Sequence, residues 1–281
     1  MRAQTQLLGL NRSGLYYQSA PPSQEELLLK RRIDEIYTAR PFYGYRRITF
    51  QLQQEGHRVN HKAVARHMGE MGLSAIVPGP HRPNLSKRAR EHGVYPYLLR
   101  GVVAHSPNHV WGIDLTYIRM VGGWLYLVAV LDWHSRYIVS WELSQNMGQG
   151  FVMEAARSAL NSAYPATPTI WNSDQGSHFT SPQYTDLLTE AGVQISMDGR
   201  GRYVDNIFTE RLWRTIKYEE VYLHEYSTPR EARQSLSDYI RFYNHERPHQ
   251  GLDYQTPAAV YRRLATTKGE NLTLENAFSW S

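Results

Sequence analysis

The 281-residue chain contains no cysteine. That absence excludes disulfides, thiol catalysis and every cysteine-containing zinc site, and it leaves the redox compartment undetermined. Long apolar runs are missing too. The longest, Trp124 to Leu131, is far too short to cross a bilayer. The amino terminus lacks the charged-then-apolar pattern of a secretory signal, so the chain reads as cytoplasmic. Acidic residues are scarce in the first 104 positions, which hold 16 Lys and Arg against 7 Asp and Glu; the remainder holds 15 against 19. A basic first part joined to a mildly acidic second part fits a polyanion-binding module beside something else, although uneven surface charge is common.

What is present begins with helical punctuation. Residues 1–22 read as the remnant of a helical element. Ser23 and Glu26 have capping-box spacing, and the helix they open carries Ile33, Ile36 and Tyr37 before Pro41 ends it. A second helix is expected over 45–55, closed by Gly56, and a third over 60–71, capped by Asn60 and followed by Gly72. Three short helices with a tight turn before the last suggest a helix-turn-helix domain over 23–76. In that reading Lys62, Arg66 and His67 face DNA, and Arg46 and Arg47 face phosphate; a plain helical bundle with surface cations is the alternative. Residues 77–104 form a Pro-rich basic linker whose Lys87 and Arg88 lie along DNA or simply in solvent.

From 105 to 265 the pattern changes. Strand signals at 110–120, 124–132 and 137–143 are separated by turns and make an antiparallel meander. Then come a helix over 150–164, a strand over 169–172, a helix opened by Ser181 and Pro182, a strand over 193–197 and a long helix over 204–222. A further capping box, Thr228 to Glu231, starts a helix presenting Ala232, Leu236, Tyr239, Ile240 and Tyr243. The order β-β-β-α-β-α-β-α predicts a mixed α/β sheet with helices on its faces, the order of ribonuclease-H-like folds. Residues 266–281 are a tail.

Three carboxylates stand out within this frame. Asp114 lies inside the first strand among Trp, Ile, Leu and Tyr, where burial is expensive without a partner. Asp174 directly follows the fourth strand, where open sheets place ligands. Glu210 sits in the long helix with Lys217 two turns later on the same face, and with Asn206 and Trp213 on that stripe. Each alone has a bland explanation: an edge strand, a turn, a solvated helix face. Together, with the first and fourth strands adjacent, they converge. Converging carboxylates need a counter-charge, which hard divalent cations supply, Mg²⁺ above all. Two such ions roughly 3.5–4 Å apart would serve both the attacking and the leaving oxygen of a displacement. Lys217 is then placed to hold a DNA phosphate.

Five ordered segments carry a resemblance: Trp111–Tyr117, Asn172–Ser181, Ser196–Asn206, Thr209–Glu219 and Tyr243–His249. They are similar to the DDE transposases of bacterial insertion sequences, specifically the OrfB-type product of the IS-three family, with a core like that of retroviral integrases. Tyr43 to Ile48 resembles the family's upstream helix-turn-helix. The resemblance implies Asp114, Asp174 and Glu210 as catalytic and metal-binding residues, with Mg²⁺ as cofactor and Mn²⁺ as its substitute. It implies cleavage at transposon ends followed by attack of a 3′ hydroxyl on a second phosphodiester. DNA ends and target are the implied partners, with a homodimer or larger synaptic assembly and synthesis as a fusion with an upstream-frame DNA-binding protein. Arg214, Asn206 and Tyr203 join Lys217 as expected DNA contacts, and His178 as a neighbour of the metals or DNA. The alternatives are a ribonuclease-H-like nuclease that cuts without joining and a DNA-binding regulator with an inert core.

Overall fold

The computed structural model describes residues 23–76, 95–162, 167–198 and 207–263. The expectations placed on residues 1–22, Lys87, Arg88, Tyr203, Asn206 and the tail lie outside the described residues. The chain divides into two compact units, Met1–Ile76 and Val77–Ser281.

The first unit holds helices α1 (Gln24–Ala39), α2 (Tyr45–Gln54) and α3 (His61–Glu70). Their starts follow local chemistry. The Ser23 hydroxyl accepts from the Glu26 amide at 3.1 Å, and the Asn60 side-chain oxygen accepts from the Ala63 amide at 2.9 Å. Gly56 and Gly72 end α2 and α3 at φ of +90° and +69°, which glycine adopts without strain. Ile33, Ile36, Ile48, Leu52, Val64 and Met68 form the interior. Around it, Arg32 holds Glu55 through two 2.7 Å bonds, and Lys30 reaches both Glu26 and Glu70 at 2.9 Å.

One expectation fails here. His67 is only 3% exposed, with Nδ1 3.2 Å from Glu70 Oε2, so it does not face DNA. The positions Val64, His67 and Met68 share one helical stripe, and that stripe is the buried one. Glu26 likewise turns its carboxylate to Lys30, where the capping box would have it reach back to the Ser23 amide.

In the second unit, β1 (Val110–Met120), β2 (Gly123–Asp132) and β3 (Ile138–Ser144) pair antiparallel, while β4 (Ile170–Ser173) and β5 (Gln194–Met197) add in parallel beyond β1. The strand order is β3-β2-β1-β4-β5. Pleating sends alternate side chains to opposite faces. Trp111, Ile113, Val128 and Val130 pack with α4 (Gln149–Asn161) and α5 (Pro182–Glu190); Ile118, Leu125, Leu127, Ala129 and Leu131 pack with α6 (Ile207–Glu219) and α7 (Pro229–His245). Both faces are therefore covered, which is why the strands read as nearly continuous apolar runs. This is the ribonuclease-H-like arrangement.

Several polar side chains fix the frame. Thr228 Oγ1 accepts from the Glu231 amide while the Glu231 carboxylate accepts from the Ser227 amide, so the return bond of this capping box lands one residue before the N-cap. Asn244 on α7 both accepts from the Ile138 amide and donates to its carbonyl, each at 3.0 Å. Arg247 makes two 2.7 Å bonds to buried Glu219, which also accepts from Tyr239 Oη. Much of the Tyr243–His249 segment thus serves packing. Asp132, fully buried at the end of β2, accepts from the Asn108 amide and from both the amide and hydroxyl of Ser135, so it is a structural staple. Ser181 departs from expectation: its hydroxyl donates back to the His178 carbonyl at 3.3 Å, and α5 starts on Pro182 without a side-chain cap.

Candidate active site

The site is set by strand register. β1 and β4 run parallel with Gly112 opposite Asn172. Two residues further along, Asp114 and Asp174 are level with each other and point to the same face, because side chains alternate with period two. β4 and β5 continue the row, since Ser173 stands opposite Met197 and the next residues are Asp174 and Asp198.

Helix α6 crosses this face closely. An ideal Cβ on Gly112 would run into Trp133 Nε1 and lie 3.1 Å from Thr209 Oγ1. Glycine at 112 is what lets Thr209, and hence Glu210 beside it, approach the strand. One turn later, Trp213 Nε1 donates to Asp114 Oδ2 at 2.9 Å, and the Leu115 amide donates to Oδ1 at 2.8 Å. Across the row, the Gly176 amide donates to Asp174 Oδ1 at 2.8 Å, and a Cβ on Gly176 would stand 2.9 Å from that oxygen.

Charge at the site is strained in one direction. Burial pushes the Asp114 carboxyl up to about 7; the Asp174 charge adds to this and Asp198 adds less, against the donors Trp213 and Leu115. Asp174 is also raised by burial, opposed by the Gly176 amide and by His178. Lys217, half-buried on α6, is lowered by burial and pulled back up by Asp114. Three of the expected residues, Asp114, Asp174 and Lys217, are therefore electrostatic neighbours. Glu210 is exposed at the start of α6. Among the described residues, only Glu26, His67 and Glu70 bring three ligand atoms within 4.8 Å, so the Asp114–Asp174–Glu210 set is not closed to that degree.

The donor set suits a hard divalent ion. All its donors are oxygens, two carboxylates are held level, and on the same face the buried acceptor Asn172 Oδ1 has no partner among the described residues. Sequence reasoning missed Asp198 and gave Trp213 no contact of its own. Of the expected DNA contacts, Arg46, Lys62, Arg66 and Arg214 are exposed, and Arg47 is half-buried. Arg214 lies over the Tyr218 ring at 5.4 Å and Arg47 over Tyr43 at 5.4 Å, while Arg66 pairs with Glu70 at 3.4 Å. His178 bonds the Met147 carbonyl through Nε2 at 3.1 Å.

Comparison with known proteins bears on this geometry. The Integrase core domain family matches residues 104–202 and, through a second family of the same description, residues 191–257; the HTH-like domain family matches residues 23–81. The chain is 35% identical over 217 residues to the transposase for insertion sequence element IS904 of Lactococcus lactis, covering 76% of this chain and 85% of that one. It is 32% identical over 271 residues to the insertion element IS600 31 kDa protein of Shigella sonnei, covering 92% and 99%. It is 31% identical over 209 residues to the transposase InsF for insertion sequence IS3A of Escherichia coli, covering 74% and 72%. Among solved structures, the HTLV-2 integrase catalytic core domain in complex with magnesium aligns at a TM-score of 0.46 and 18% identity, covering 57% of this chain and 99% of that one. Among the described residues no helix is long and apolar enough to cross a membrane.

Proposed function

Because the chain belongs to the IS3-family transposases, enzymes of DNA transposition with an integrase core, we propose that Asp114, Asp174 and Glu210 are its catalytic carboxylates. The observation that carries this is the β1–β4 register, which sets Asp114 level with Asp174 on the face crossed by the helix of Glu210.

Membership in an integrase-core family implies dependence on a divalent metal. Mg²⁺, with Mn²⁺ as substitute and two ions per site, fits the all-oxygen donor set, and such a pair would stabilise both the attacking and the leaving oxygen of a phosphodiester. The chain's own residues do the rest. Trp213 and the Leu115 amide orient Asp114, the Gly176 amide orients Asp174, and Lys217 holds a DNA phosphate beside them. The substrate is insertion-sequence end DNA, cut to leave a 3′ hydroxyl that is then joined to target DNA. Residues 23–76 supply a helix-turn-helix in which Lys62 and Arg66 on α3 and Arg46 and Arg47 on α2 contact DNA; Lys87, Arg88, Tyr203, Asn206 and Arg214 are further DNA contacts. Pairing two ends calls for a homodimer or larger assembly in the cytoplasm at the nucleoid, with an upstream-frame fusion supplying further end recognition.

The test is a strand-transfer assay on precut ends in Mg²⁺. Wild type is expected to give joined product and Asp174→Asn none. Asp174→Asn protein as active as wild type overturns the assignment, and cut product without joining replaces transposition by simple nuclease action.

A further inference from the structure

We infer that Asp198 is a fourth carboxylate of the divalent-cation site, held there by Asn172; this rests on the reading of Asp114 and Asp174 as ion ligands. Register places it. Adjacent strands lie about 4.8 Å apart, so the sequence Asp114, Asp174, Asp198 spans two strand spacings on one face of the sheet. The backbone fixes the last member, since the Asp198 amide donates to the Ser173 carbonyl at 3.0 Å and extends the β4–β5 ladder. The side chain is fixed as well: Asn172 Nδ2 donates to Asp198 Oδ1 at 3.0 Å.

Asn172 supplies the second observation. It is 1% exposed, and its Oδ1 has no hydrogen-bond partner among the described residues. A buried acceptor left in that state is destabilising, because it has lost its water and gained no donor. One end of this amide is committed to a carboxylate, while the other offers a hard oxygen on the same face, two residues before the row. An ion, or the water bound to it, satisfies that oxygen and offsets the repulsion among three level carboxylates. If Asp198 served only to satisfy Asn172, the buried amide oxygen on this face would be left without a partner.

The experiment is a Mn²⁺ titration of the full chain by calorimetry, with melting in EDTA measured alongside. Asp198→Asn, which keeps the shape and removes the charge, is expected to weaken Mn²⁺ binding by about tenfold or more without lowering the melting temperature. Asn172→Ala, which leaves the charge and frees it, is expected to weaken binding by about tenfold. Asp174→Asn separates the two layers of inference. Wild-type binding in Asp198→Asn with lost binding in Asp174→Asn overturns the role of Asp198 alone. Unchanged binding in Asp174→Asn overturns the underlying site. Should Asp198→Asn fail to fold, unchanged Mn²⁺ affinity in Asn172→Ala overturns the proposal.

Discussion

The indole N–H of Trp213 donates to the Asp114 carboxylate at 2.9 Å, joining α6 to the middle of β1. The helix that carries Glu210 and Lys217 is thereby indexed to the strand that carries Asp114, and a shift of either element changes the donor at the carboxylate. Trp213 is 7% exposed, so the same residue anchors the helix in the core.

Removing that donor tests the link. Trp213→Phe keeps most of the apolar bulk and deletes the N–H, which now holds the Asp114 pKa down against burial. Ion binding requires the ionised carboxylate, so Mn²⁺ affinity is expected to rise with pH through about 7 in the wild type. In Trp213→Phe the rise moves to higher pH. Superimposable affinity profiles from pH 5 to 9 would show that the bond does not tune the site.

Stability in EDTA carries its own pH signature. Asp114 has an ordinary value of 3.8 and a folded value of about 7, so the folded chain binds this proton more tightly than the unfolded one. Its contribution is fully present below 3.8 and is lost as pH rises through about 7. Asp114→Asn removes the loss. The variant is expected to melt above wild type at pH 8, by a few °C for a difference on the order of 1 kcal/mol, and to match it near pH 4.

Gly112→Ala places a methyl group against Trp133 Nε1 and Thr209 Oγ1. Overpacking of this kind destabilises by about 1–3 kcal/mol, read from urea unfolding. Because the displaced element carries Glu210, joining activity is expected to fall further than the lost stability accounts for. Alanine tolerated with full activity would mean that α6 does not depend on close approach at this point.

Arg247→Ala strands Glu219 in the interior without its two 2.7 Å bonds. Loss of one partner of a buried pair costs about 3–5 kcal/mol, whereas Arg247→Met with Glu219→Leu is expected to recover most of that. Equal denaturation midpoints for the single and double variants would refute a buried, uncompensated charge as the cause.

Lys217→Ala is expected to weaken DNA binding and to lower the slope of log K against log salt by about 1, the signature of one lost phosphate contact. An unchanged slope would assign Lys217 to Asp114 alone.

Local chemistry was legible in the chain. The caps at Ser23, Asn60 and Thr228 each concern three or four neighbouring residues, and all three side chains accept the expected amide, although Glu26 does not return the bond to Ser23. The strand signals of β1 to β3 and the turns between them predicted the meander, and the strand–helix order predicted the mixed sheet. His67 was misread because its type suggests a surface, although its place between Val64 and Met68 marks the inner stripe. Asp198 gave no signal because its neighbours are made by pairing between strands distant in sequence. Pairing register is set by the whole sheet, so an aspartate after the fifth strand looks like any other loop acid until Asn172 is seen beside it.

The Asn244 clamp on Ile138 has a consequence for solubility. β3 is one border of the sheet, and a border strand presents unused amides and carbonyls to any extended peptide that arrives. By engaging both backbone groups of Ile138, the Asn244 side chain acts as a one-residue substitute for a neighbouring strand. An extended peptide, from a second copy of the chain or from elsewhere, is thereby discouraged from adding to the sheet border along this stretch of backbone.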